Sequence, residues 1–172
     1  MKKFVSNSQN DTQKFARELA EEILAGKAMS RFNLDIRGGG AVVVSLFGDL
    51  GAGKTTFAQG FAEALGIEEK TKSPTFVITK KYQIQKTKLQ TNSKFKNSNF
   101  QKNKLKFLYH FDVYRIHNEK EILNLGWEEI ISNPENIVLV EWADKIEKIL
   151  PKNCVRINFK HLAGDKRKII VS

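Results

Sequence analysis

Gly48 to Thr55 read GDLGAGKT and have the spacing G-x-x-x-x-G-K-[ST] of a phosphate-binding loop. The apolar run from Ala41 to Phe47 precedes this loop, and a helix-compatible stretch from Thr56 to Leu65 follows it. Glycines at this spacing turn the chain so that successive backbone N–H groups point at phosphate oxygens, and the positive end of the following helix adds to the attraction. The pattern predicts a nucleotide site, in preference to a plain glycine-rich turn between a strand and a helix.

The residues of the loop have separate expected roles toward ATP and Mg²⁺, the cofactors that we expect. Lys54 can reach the β and γ phosphates, Thr55 offers a hydroxyl to Mg²⁺, and Thr56 is placed to meet the α phosphate. The residues expected to hold the phosphates are Gly51, Ala52, Gly53, Lys54, Thr55 and Thr56.

Two acids could complete such a site, because hydrolysis also needs a held Mg²⁺ and a group that orients the nucleophile. Glu141 follows the aliphatic run Ile137 to Val140, the Walker B arrangement of a carboxylate at the end of a buried strand. We therefore expect Glu141 to ligate Mg²⁺ rather than simply to end a strand.

Asp112 is the second acid, and it lies in a strand of aromatic character. Buried there without a partner, it would cost several kcal/mol. A salt bridge to Arg115 or Lys106 would satisfy it, but a catalytic or Mg²⁺-water role is favoured. His110 lies on the same face and could hydrogen-bond Asp112, although an isolated histidine is more often structural.

The segment Ser73-Pro74-Thr75 lies where nucleotide switches often follow the loop helix. Thr75 could sense the γ phosphate through its hydroxyl or its backbone N–H. An ordinary proline turn explains the same residues equally well.

The order of elements predicts an α/β fold, a P-loop NTPase-like three-layer sandwich with a mixed, mainly parallel central sheet and antiparallel edge strands. An amphipathic helix with Asp11 or Thr12 as N-cap opens the chain, and Asn118 with Glu121 forms a capping box. Extended stretches are expected at 41–46, 76–84, 105–116, 137–140, 155–160 and 167–171, the last two forming a hairpin. At 172 residues, one domain covering 1–172 is the default.

The net charge of +10 is concentrated in one segment. Nine lysines and no acid lie between Lys80 and Lys106, which leaves 20 basic and 19 acidic residues elsewhere. The segment is rich in Asn, Gln, Ser and Thr, and we interpret it as a solvated insertion at about 84–104. An RNA-contacting arm is the alternative, because its lysines and aromatic residues could neutralise phosphates and stack on bases.

The remaining composition favours a cytoplasmic protein. No apolar run approaches the length of a membrane span, and the first ten residues, MKKFVSNSQN, have no apolar core of a secretory signal. Cys154 is the only cysteine and is flanked by Val155 and Ile157, so we expect a buried small side chain.

Five segments in the order GDLGAGKTTF, KSPTF, YHFDVYRI, LGWEEI and VLVEWADK resemble the bacterial TsaE family. The similarity covers most of Thr12 to Pro151, and the EW and HFDxYR motifs are more specific than the loop alone. The resemblance implies an ATPase for threonylcarbamoyladenosine (t6A) modification of tRNA at position 37, the adenosine beside the anticodon. It implies catalytic roles for Lys54, Asp112 and Glu141, a Mg²⁺ site at Thr55 and Glu141, a switch at Thr75 and an aromatic residue beside the site at Trp142.

The same resemblance implies TsaD-like and TsaB-like partners, with tRNA reached through their complex. One departure is the lysine-rich segment, since that link is short in the family. Without the resemblance, a small-molecule P-loop kinase is the main rival, and a non-hydrolysing RNA-binding module is the other. A GTPase is disfavoured because the chain has no N-K-x-D motif.

Overall fold

The computed structural model describes residues 2–25, 39–67, 78–85 and 104–172. Within these ranges the chain forms one sheet of seven strands in the order β1-β7-β6-β2-β5-β4-β3. The strands are β1 Lys2–Ser6, β2 Val42–Phe47, β3 Thr79–Gln83, β4 Phe107–Asp112, β5 Asn136–Glu141, β6 Val155–His161 and β7 Arg167–Val171. The helices are α1 Gln9–Leu24, α2 Lys54–Ala64, α3 Lys120–Leu123, α4 Trp127–Ser132 and the 3₁₀ helix Ala143–Ile149.

The sheet is parallel at its centre and antiparallel at both edges. The adjacent strands β6, β2, β5 and β4 are parallel. On one side β7 and then β1 add antiparallel, and on the other side β3 adds antiparallel to β4. The predicted fold class is therefore confirmed, including the hairpin formed by the last two strands.

Both faces of the central strands are buried, which explains their unbroken apolar sequences. In β5, Ile137 and Leu139 face the core under α1 and α2, whereas Val138 and Val140 face the core under α4 and the 3₁₀ helix. Helices thus cover the sheet on both faces. Among the described residues, no helix is both long and apolar enough to span a bilayer.

Helix α1 begins earlier than its apolar periodicity predicts. The N-cap is Ser8, whose Oγ accepts a hydrogen bond of 3.1 Å from the Asp11 amide. The Asp11 carboxylate accepts in turn from the Asn7 amide at 2.9 Å. The expected N-cap at Asp11 or Thr12 is wrong, because the Ser8 hydroxyl caps the helix seven residues before Phe15, the first large apolar residue of α1.

The sequence pattern does not predict strand β1. Four of its five residues are exposed, so it lacks the alternation of a half-buried strand. It pairs with β7 from Lys2 opposite Val171 to Ser6 opposite Arg167. This pairing brings the start of α1 to the end of the sheet where the parallel strands finish.

Candidate functional site

The phosphate-binding loop joins the end of β2 to the start of α2. Gly48 has φ of 132°, and a Cβ there would lie 2.3 Å from the Phe159 carbonyl oxygen. Gly53, the N-cap of α2, has φ of 106°. Glycine is required at both positions, by the close backbone approach at Gly48 and by the left-handed conformation at each. The loop therefore presents its amides at the positive end of an eleven-residue helix.

Lys54 is 4% exposed, and its ammonium is held inside the loop. Nζ donates to the carbonyl oxygens of Gly48 at 2.5 Å and Asp49 at 2.9 Å. It also lies 3.5 Å from the ring centroid of Trp142. Burial lowers the pKa of Lys54 below its ordinary 10.5, and the negative charge of Glu141 is the largest of several that oppose this shift. A phosphate at this position would supply the anion that a buried ammonium needs.

Thr55, Glu141 and His110 form a chain of hydrogen bonds across three elements. The Thr55 hydroxyl donates to Glu141 Oε2 at 2.7 Å, and His110 Nε2 lies 2.9 Å from Glu141 Oε1. An ionised carboxylate can only accept, so Nε2 carries the hydrogen when Glu141 is charged. Glu141 and His110 are each 1% exposed. The carboxylate is therefore fixed in orientation beside the first turn of α2.

Asp112 lies directly opposite Glu141, because these two residues are cross-strand partners in the parallel pair β4 and β5. Its Oδ1 accepts a hydrogen bond of 3.1 Å from the Tyr114 amide. Asp112 is 7% exposed and lines the same cleft as the loop. The geometry corrects the expected contact of His110, which bonds Glu141.

Trp142 is the one non-glycine residue with positive φ in the described ranges, at 62°. Such a backbone conformation costs of order 1–3 kcal/mol and persists where the surroundings hold it. Here the indole ring contacts both the Lys54 ammonium and Tyr114, with 4.7 Å between the Tyr114 and Trp142 ring centroids. The strained residue thus contacts the lysine of the loop.

A family model described as "Threonylcarbamoyl adenosine biosynthesis protein TsaE" matches residues 6–169 of the chain. The chain belongs to the TsaE family. Its similarity to named members extends over most of its length. The TsaE of Bacillus subtilis is 41% identical over 127 residues, which are 74% of this chain and 66% of that protein. The TsaE of Haemophilus influenzae is 31% identical over 144 residues, 84% of this chain and 78% of that protein.

The fold of the chain is similar to that of a solved structure. The crystal structure of YdiB from Bacillus subtilis superposes with a TM-score of 0.62 and 30% sequence identity, covering 99% of this chain and 83% of that chain. The family model and the named relatives thus place the chain in TsaE, as its motifs imply, and its fold is similar to that of YdiB.

The cleft of this TsaE-family chain has a volume of about 470 Å³, within the range of small-ligand sites. It brings together eight of the predicted residues: Gly51, Ala52, Gly53, Lys54, Thr55, Thr56, Asp112 and Trp142. Glu141 joins them through its bond to Thr55. Thr75, the expected switch, lies outside the described residues, as does most of the lysine-rich segment.

The oxygens at Thr55 and Glu141 suit Mg²⁺, which prefers hard oxygen ligands and usually takes only one or two from protein carboxylates. No group of three or more His, Cys, Asp or Glu residues suited to a metal ion occurs in the described ranges. A metal held here would thus draw its remaining ligands from phosphate and water.

The cleft also contains residues that the sequence patterns do not identify, among them Gln9, Tyr114 and Arg167. Arg167 lies on the same face of β7 as the inward-facing Ile169 and Val171, so its inward position could have been predicted from β7 alone. The proximity of Arg167 to the loop could not have been predicted, because that proximity depends on the order of the strands in the sheet.

Proposed function

We propose that this TsaE-family protein binds and hydrolyses ATP in support of t6A modification of tRNA at position 37. The observation that carries the proposal is the contact between the Thr55 hydroxyl and the Glu141 carboxylate, beside a buried lysine in a glycine-rich loop. Two oxygens meet where the first turn of α2 faces the end of β5. This is the arrangement that a Mg²⁺–triphosphate requires.

Each residue of the cleft has a distinct task in this proposal. The loop amides and the α2 terminus bind the phosphates, and Lys54 moves from the carbonyl oxygens of Gly48 and Asp49 to the β and γ phosphates. Thr55 and Glu141 hold Mg²⁺, which when bound neutralises charge on the phosphates. His110 keeps Glu141 in orientation. Thr75 is proposed to respond to the γ phosphate.

Asp112 is proposed to orient the water that attacks the γ phosphate. It lines the cleft, as Trp142 does, and lies opposite Glu141 at the end of the strand next to β5. A carboxylate there can accept a proton from the attacking water. The two acids thus have different tasks in hydrolysis. Asp112 would orient the attacking water, and Glu141 would hold the Mg²⁺ that neutralises charge on the phosphates.

We further propose that the protein acts with TsaD-like and TsaB-like proteins and meets tRNA only through their complex. In this proposal the protein does not itself transfer the carbamoyl group. ATP turnover would instead reset the assembly between rounds of modification. The proposed location is the cytoplasm, where tRNA is modified.

A small-molecule kinase is the rival reading, and it would use an acceptor and a basic lid over the phosphates. The lysine-rich segment leaves the sheet beside Ile84 and Lys106, whose backbones are joined by a hydrogen bond of 2.9 Å. Phe107 begins β4, whereas Asp112 ends it at the cleft. A strand of six residues is about 20 Å long. The two points at which the segment is attached thus lie at the end of β4 away from the phosphates, and the segment contains no arginine to contact them.

The deciding experiment measures ATP hydrolysis by the protein alone, with the TsaB-like and TsaD-like partners, and with candidate small-molecule acceptors. We expect turnover that depends on the partners and on Mg²⁺ but not on an acceptor. Phosphate transfer to a small molecule would instead establish a kinase.

Lys54→Ala tests the binding step of the proposal. Removing a charge-assisted contact is expected to weaken ATP binding by about 100-fold or more, which corresponds to about 3 kcal/mol. Calorimetric titration of ATP measures the loss, and Lys148→Ala, at a largely exposed lysine, is the matched control. Wild-type affinity in Lys54→Ala would remove the loop from the nucleotide site.

A further inference from the structure

Arg167, the first residue of β7, is a buried cation that the proposed chemistry does not use. It is 8% exposed, and its Nη1 donates to the Asp165 carbonyl oxygen at 2.6 Å. Its Nε is buried and has no hydrogen-bond partner among the described residues. A guanidinium buried with an unsatisfied N–H is costly, so the site favours an anion that could accept from it.

The side chain of Arg167 packs directly on the phosphate-binding loop. A Cβ added to Gly53 would lie 2.9 Å from Arg167 Cδ and 3.0 Å from Nε. Gly53 is the N-cap of α2, the residue whose following amides hold phosphate in such loops. Arg167 also lines the cleft that contains Lys54 and Thr56. The unsatisfied N–H is thus at the anion-binding end of α2.

The order of the strands places Arg167 on the opposite side of the loop from the two acids. Asp112 and Glu141 end β4 and β5, on one side of β2, whereas β6 and β7 lie on its other side. Thr55 faces the acids, since it bonds Glu141. In the proposed function the γ phosphate and Mg²⁺ would lie on that side. On the side of Arg167 the cleft continues to Gln9, at the start of α1.

We propose that Arg167 binds the α and β phosphates, the part of the nucleotide that ATP and ADP share. The proposal deepens the proposed function and depends on it, because it requires a nucleotide in this cleft. The planar guanidinium can direct Nε–H and Nη–H at two phosphate oxygens while its stem packs against Gly53. Arg167 would then secure the nucleotide before and after hydrolysis, rather than act on the bond that breaks.

The test compares Arg167→Met with the wild type by titration of ADP, of ATP with Mg²⁺, and of inorganic pyrophosphate in competition with ADP. We expect all three dissociation constants to rise by the same factor, about 10- to 100-fold. Lys168→Met, at the next residue of the same strand, is the matched control and should retain wild-type affinities. Arg167→Lys retains a positive charge and should recover part of the loss.

Several results would overturn the proposal. Unchanged affinity for ADP would do so, as would a loss confined to ATP, which would place Arg167 at the γ phosphate. Weaker ADP binding with unchanged pyrophosphate binding would place it at the base or ribose. If Arg167→Met lowers the melting temperature, the dissociation constants of Arg167→Lys are compared with those of the wild type instead. Equal constants for all three ligands would then overturn the proposal. Lys54→Ala separates the two hypotheses, because undiminished ADP binding there would refute the nucleotide site itself.

Discussion

Glu141 uses both of its oxygens before any ligand arrives, one toward Thr55 and the other toward His110. The carboxylate is thereby held at the Thr55 hydroxyl, so little reorganisation is needed when a cation binds. Glu141→Gln keeps the shape and part of the hydrogen bonding but removes the charge. We expect ATP to remain bound and hydrolysis to fall by about 100-fold or more.

Phosphate release at saturating ATP with the partners present measures the effect of Glu141→Gln. Glu147→Gln is the control, since Glu147 pairs with Arg156 at the surface of the 3₁₀ helix and away from the cleft. Wild-type turnover in Glu141→Gln would refute its assignment as the Mg²⁺ ligand.

Asp112→Asn is expected to separate binding from chemistry in a different way. The amide oxygen of asparagine can still accept from the Tyr114 amide, so the local fold should persist. It cannot accept a proton from water, and turnover should fall by at least about 100-fold while ATP affinity stays within a few-fold. Single-turnover hydrolysis is the measurement, with the exposed Asp165→Asn as control. A purely structural Asp112 would instead lower the melting temperature without a specific loss of rate.

Among the individual residues of the site, the sequence predicts the roles of those that belong to contiguous motifs. GDLGAGKT and the strand-end glutamate can be located because their chemistry depends on neighbours in sequence. The bond between Thr55 and Glu141 spans 86 positions, and that between His110 and Glu141 spans 31. Such partners depend on strand register, which a single sequence does not determine.

Helices α1 and α2 pack closely where Gly60 of α2 faces Gln13 of α1, because glycine has no side chain. A Cβ at Gly60 would lie 2.8 Å from both the Cα and the carbonyl oxygen of Gln13. In an unpacked helix, replacing glycine by alanine would gain about 1 kcal/mol. Here the backbone contact should reverse the sign, and Gly60→Ala is expected to destabilise by about 1–3 kcal/mol.

Denaturant unfolding tests this packing, with the exposed Gln59→Ala as the matched control on the same helix. An increase in stability for Gly60→Ala would show that the helices can separate without cost. Because α2 carries Lys54 and Thr55, a shift of this helix should also weaken ATP binding.

The elements that could be predicted are those with a strong internal pattern. The buried strands are confirmed. Of the capping box predicted at Asn118 and Glu121, only one half is present: the Glu121 carboxylate accepts from the Asn118 amide at 3.2 Å, whereas the N-cap of the helix is Glu119. Cys154 is buried, as expected. Strand β1 could not be predicted, since its stability comes from pairing with β7, more than 160 positions away. Tertiary pairing outweighs local propensity there.

For the whole molecule, the direction of β4 separates the cleft from the points at which the lysine-rich segment is attached. Replacing residues 86–103 by Gly-Asn would join β3 and β4 by a short turn and remove five lysines and no acid, lowering the net charge from +10 to +5. We expect the melting temperature and ATP affinity to remain unchanged. The affinity of the assembled complex for tRNA should change little, because we interpret the segment as a solvated insertion.

Binding of labelled tRNA across a range of salt concentrations tests that interpretation, because neutralised phosphates make affinity salt-dependent. A markedly weaker, less salt-dependent affinity after the replacement would instead favour the RNA-contacting arm. The reading of residues 1–172 as one domain stays a prediction, and limited proteolysis of the shortened chain would test it.

The attachment of this segment at the far end of β4 also has a practical consequence. A biotinylated peptide placed between positions 85 and 104 would fix the protein to a sensor with its nucleotide cleft directed into the bulk solution. Kinetics of ligand exchange could then be recorded from an immobilised sample without steric interference from the support.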